Sequence, residues 1–77
     1  MKNYTLKFVF LKTPQLRHNF RSNINQNVFP VINHEIYYAV IEKANYKFFG
    51  KSYSGDVSIK NFKIAVEESY ISIISDT

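Results

Sequence analysis

Hydrophobic and polar positions alternate along residues 4–11, YTLKFVFL. Tyr4, Leu6, Phe8 and Phe10 fall on one side, and Thr5, Lys7 and Val9 on the other, which is the period of a half-buried strand. The pattern then changes. Thr13 suits a helix N-cap and Pro14 a first helical position. Leu16, Phe20 and Ile24 recur every four residues, a narrow apolar stripe. A short helix is predicted over 14–24, with Pro14 ending the first strand and the Asn-rich NINQN following as a loop.

Residues 35–54 carry two periods at once. Ile36, Val40, Ala44 and Phe48 are four apart, as on a helix. Yet EIYYAVI and YKFFGKSY are dense in β-branched and aromatic residues, and EKAN between them can turn. The absence of a strong cap favours a hairpin; a second helix at about 34–48 is the alternative. SGD at 54–56 reads as a turn. VSIKNFKIAV, residues 57–66, then extends the sheet, EES turns again, and YISIIS is a final strand. The pattern predicts one small α+β domain over residues 1–77, a mostly antiparallel sheet packed against one short helix.

Length and composition decide how such a domain can be held together. At 77 residues, a single core usually supplies only about 3–5 kcal/mol. The chain has no cysteine, which excludes disulfides and thiolate metal sites. Stability must come from packing of its 7 Phe and 6 Tyr, each able to bury roughly 150–250 Å², or from a second copy in a homodimer. No apolar run is long enough for a membrane span, and the alternating N-terminus lacks the small-residue cleavage site of a signal peptide. A cytoplasmic protein with no membrane partner is expected. Lys, Asn, Ile, Phe and Tyr, which have AT-rich codons, make up about half of the chain. That points to a low-GC genome, such as a bacterium, its phage or its plasmid.

The net charge of +4 is unevenly placed. Residues 1–34 hold Lys2, Lys7, Lys12, Arg17 and Arg21 and no acid, whereas residues 67–77 hold only Glu67, Glu68 and Asp76. Such asymmetry can mark an anionic partner, or serve solubility alone. On the predicted helix, Arg17 and Arg21 are four apart with His18 beside Arg17. Like charges at that spacing cost roughly 0.2–0.5 kcal/mol. They form a candidate grip on phosphate or an acidic patch; the plainer reading pairs them with Glu67 or Glu68. On a strand over 45–54, alternation places Lys47, Phe49, Lys51 and Tyr53 on one face, and Tyr46 and Phe48 toward the core. Interleaved ammonium groups and rings can hold phosphates and stack bases. The plainer reading is two half-buried rings and two solvated lysines.

Catalytic signals are weak. Gly50-Lys51-Ser52 matches the end of a phosphate-binding loop, but Asn45 stands where that loop needs its first glycine, and Phe48-Phe49 cannot form the phosphate cradle. His18 and His34 lack ligand-pair spacing, so no metal or cofactor is expected. No nucleophile, base and acid set stands out. The one chemistry these residues allow is metal-independent RNA cleavage, with His18 or His34 as base and Arg and Lys stabilising the phosphorane. The expected function is therefore non-enzymatic. The chain reads as a small interaction protein that occupies a surface of a larger protein or ribonucleoprotein, with Tyr and Arg as anchors. By analogy of size and composition, its concrete form is a phage or mobile-element inhibitor of a host defence or nucleic-acid enzyme, of the anti-CRISPR kind, acting in the host cytoplasm. The alternatives are a basic-aromatic module in direct contact with nucleic acid, and a small ribonuclease toxin.

Overall fold

The computed structural model describes residues 4–22, 35–51 and 53–76. Six strands form a single antiparallel sheet: β1 (Leu6–Phe10), β2 (Arg21–Ser22), β3 (Ile36–Glu42), β4 (Asn45–Phe49), β5 (Ser54–Ser58) and β6 (Ile71–Asp76). Their spatial order is β2-β5-β4-β3-β1-β6. One helix, α1 (Ile59–Glu67), connects β5 to β6 and covers one face. The expected α+β architecture of sheet and single helix is present, but the helix lies elsewhere in the chain. Among the described residues, no helix is long and apolar enough to cross a membrane.

The alternation in residues 6–10 becomes β1, with Leu6, Phe8 and Phe10 buried. The hairpin reading of 35–54 holds, and β3 replaces the alternative helix. Lys43 and Ala44 form the turn, with Lys43 at φ 59°. β4 pairs in register, Ala39 opposite Phe48 and Ile41 opposite Tyr46. The strand stops at Phe49, however, instead of running to residue 54. The Gly50 N–H donates to the Tyr53 carbonyl at 2.6 Å, which reverses the chain into β5. The three residues read as a turn, Ser54-Gly55-Asp56, are the first part of that strand.

Two further expectations are corrected. The helix over 14–24 is instead a single 3-10 turn, Leu16–His18, followed by β2. Asn19 takes a left-handed φ of 53°, which breaks helical propagation. His18, Phe20 and Ser22 are all buried, a period of two and not four. Residues 23–24 lie outside the described residues. The predicted strand over 57–66 is mostly α1. Ser58 caps it, its hydroxyl accepting from the Asn61 N–H at 3.1 Å. Phe62 and Ala65 face inward, while Lys60, Lys63 and Glu67 are exposed. The helix ends where Ser69 turns left-handed at φ 66°, and the Tyr70 N–H then donates back to the Ala65 carbonyl at 2.9 Å.

The core is an aromatic cluster between the sheet and α1. The Phe8 ring lies 5.2 Å from Phe62, 5.6 Å from Tyr37 and 5.9 Å from Phe48, centroid to centroid. Phe10 meets Phe20 at 5.3 Å, so the segment after the 3-10 turn closes the other end. Phe8, Tyr37, Phe48 and Phe62 are almost wholly removed from water. Each such side chain contributes roughly 1.5–3 kcal/mol when fully buried, so packing supplies what disulfides cannot.

Candidate binding surface

Because side chains alternate along a strand, the residues between the core positions all project to the opposite face of the sheet. Cross-strand register arranges them in rows. One row runs Lys7, Tyr38, Phe49 and Ser54 across β1, β3, β4 and β5. A second runs Val40, Lys47, Asp56 and Arg21 across β3, β4, β5 and β2. Val9 opposite Ile36 adds an apolar pair. Tyr38 and Phe49 are 41% and 42% exposed, as is Ile36 at 41%. Tyr4 meets Tyr38 edge-on at 4.9 Å, which limits the freedom of that ring. No described element covers this face; α1 and the 3-10 turn lie on the other side. The result is a rigid aromatic and aliphatic patch edged by Lys7, Lys47 and Arg21, with Asp56 between the last two.

The sequence-predicted site residues separate into three environments. Lys47 and Phe49 sit side by side on the open face, as alternation required, and Arg21 joins them from β2. Lys51 is exposed in the turn after β4, off the strand that was to align it. Tyr53 is partly buried and packs against the core. Arg17 and Arg21, expected on one helix, stand on different elements.

Arg17 and His18 belong to a separate cluster at the end of α1. The Arg17 guanidinium donates to Glu68 Oε1 at 2.7 Å. His18 is fully buried; its Nδ1 accepts the Gln15 N–H at 3.1 Å. That acceptor role leaves the proton on Nε2, which donates to Glu68 Oε1 at 2.8 Å. The His18 hydrogen bond first, and Arg17 after it, hold the Glu68 carboxyl below its ordinary range. The imidazole also packs on Tyr70 at 4.5 Å, and the Lys12 ammonium lies 5.2 Å from the Tyr70 ring. With both ring nitrogens engaged and no exposure, His18 is placed as a structural pin between the 3-10 turn and α1. His34 lies outside the described residues.

Gly50 has a packing role. A Cβ there would overlap the Tyr37 ring and the Glu35 carboxylate. Burial, and next the charge of Glu35, push the Tyr37 phenol above its ordinary value. Sequence reading missed Tyr38, Lys7 and Ile36 as members of the open face. Every residue from 36 to 41 is apolar or aromatic, so the sequence alone does not separate the two faces of β3, and the register joining β3 to β1 is a long-range property. No protein-family model, curated protein or solved structure matches this chain.

Proposed function

We propose that this chain is a non-catalytic binding protein that lays its open sheet face on a larger protein or ribonucleoprotein and blocks it. The observation that carries this reading is the row of Lys7, Tyr38 and Phe49, with Lys47 beside Phe49 in the next row, on a sheet face that no described element covers. Two large rings held by strand geometry lose little entropy on binding, and exposed aromatics beside cations are the usual composition of interface anchors. The concrete form, a phage or mobile-element inhibitor of a host defence or nucleic-acid enzyme, draws only on size and codon composition.

Direct nucleic-acid binding is the weaker reading, for an electrostatic reason. A backbone-tracking groove needs a continuous cationic strip. Here Asp56 stands between Lys47 and Arg21, and Glu42 lies on the same face of β3. A mixed-charge patch suits a protein surface, where rim charges select partner and orientation.

Immobilised protein in lysates of a low-GC host, with and without nuclease treatment, tests both readings. The proposal expects one protein or complex to be retained by wild type and lost with Tyr38→Ala plus Phe49→Ala, at unchanged melting temperature. Retention that disappears with nuclease treatment, together with a steep salt dependence, would move the assignment to nucleic acid.

A further inference from the structure

We propose that the outer edge of β6 pairs with β6 of a second copy, joining two sheets into one across a two-fold axis. β6 is the last strand on its side, bonded to β1 and to no other strand among the described residues. The Leu11 N–H donates to the Tyr70 carbonyl at 2.8 Å, so residue 70 directs its carbonyl toward β1. Alternation then turns the N–H and C=O of Ile71 and Ile73 outward. These groups form a ready template for another strand.

Edges of this kind are normally blunted by lysine, proline or shortness. Residues 71–75, ISIIS, contain no charge and no proline. Ile73 and Ile74 are 41% and 47% exposed. β6 carries a bulge where the register shifts opposite Lys7 and Phe8, but Ile71 to Ile73 precede it and stay regular. Beside the edge, a groove of about 640 Å³ lies between α1 and the sheet, lined by Phe62, Val66 and Ile73, with Lys63 and Glu67 among its walls.

A second copy fits this edge for two reasons. An axis normal to the sheet, midway between the two Ser72 residues, sets Ile71 of each copy against Ile73 of the other. Both are outward-facing positions, so they exchange N–H and C=O as a hydrogen-bonded pair. The side chains of Ile71 and Ile73 lie on the helix side, opposite Phe10 and Phe8, so pairing places isoleucine on isoleucine and extends the aromatic core. The two Asp76 residues then fall at opposite ends of the ribbon. The second reason is closure. Both copies contribute the same edge to a β6 pair, so the contact is isologous and closes on itself at two copies. This inference stands apart from the proposed function, because Ile73 and Phe49 project from opposite faces.

Sedimentation velocity from low micromolar to near-millimolar protein, with amide exchange at both extremes, tests it. The wild type should shift from monomer to dimer with concentration, and the Ile71 and Ile73 amides should exchange at least tenfold more slowly in the dimer. Ile73→Lys should remain monomeric. So should Ile73→Pro, which removes an outward N–H and no bond to β1. A wild type that is monomeric throughout would overturn the proposal. So would a dimer that survives both substitutions, a dimer lost on Phe49→Ala, or open-ended growth beyond two copies. A monomer that instead binds a synthetic peptide of residues 70–76 would assign the edge to a foreign strand and also overturn it. Where a substitution unfolds the chain, the concentration dependence of the wild-type amides still decides.

Discussion

Glu68 is the residue on which the end of α1 depends, because one carboxylate oxygen serves both Arg17 and a fully buried histidine. Its folded pKa lies below the ordinary value of 4.5. The stabilisation is therefore complete above that value and is lost as pH falls through the folded pKa. Urea midpoints of wild type and Glu68→Gln should differ most at neutral pH and converge on acidification below the ordinary carboxylate range. A difference that stays constant across that range would contradict the role given to this charge. Gly50 makes the complementary case for packing. Gly50→Ala should cost about 1–3 kcal/mol, the usual range for forced overpacking, because the Tyr37 ring is fully buried and cannot retreat. Lys51→Ala, on an exposed side chain, should leave the urea midpoint within experimental error of wild type. Equal stability of all three proteins would remove the packing account of the glycine. Of these features the sequence showed the Arg17–Glu68 pairing only as one option. The burial of His18 was hidden, since a polar residue beside two arginines reads as surface.

At the scale of elements, legibility followed the strength of the local pattern. β1 alternates cleanly and was readable, whereas β3 and its hairpin with β4 rested on β-branched and aromatic content against a competing four-residue helical spacing. α1 was not readable. Its apolar residues at 59, 62, 64, 65 and 66, following Val57 at the end of β5, satisfy a strand template and a helix template together, and β-branched Ile and Val tilt propensity toward strand. What decides is Ser58 at the N-cap and the burial of Phe62 and Ala65, with Phe62 packed on Phe8, and the second of these is tertiary. Ser58→Ala should destabilise the protein by about 0.5–2 kcal/mol, measured by denaturant titration. No change would mean that α1 is held by Phe62 alone. The opposite error arose at residues 14–24. Thr13-Pro14 and a four-residue apolar spacing announced a helix. The left-handed turn at Asn19 and the pairing of Arg21 with Asp56 redirect the chain after one turn.

At the scale of the whole molecule, the described residues form a two-sided sheet. One side holds the aromatic core beneath α1, and the other presents Tyr38, Phe49 and Ile36 to solvent between lysines. The alternation of Tyr46, Lys47, Phe48 and Phe49 made the division of β4 readable from the sequence. The assembly of the open face was not readable, because Tyr38 reaches Phe49 and Lys7 only through strand register set by folding. That geometry makes the open face the surface on which the proposed binding depends. Its most direct test is the affinity of a captured partner, once purified, for wild type and for Phe49→Ala, with melting temperature measured on the same samples. A buried aromatic anchor at the centre of an interface contributes about 2 kcal/mol or more, equivalent to roughly 30-fold in Kd. A loss of at least that size is expected with the melting temperature unchanged, since Phe49 projects away from the core. An unchanged Kd for Phe49→Ala in a folded protein would contradict the proposed role of the open face.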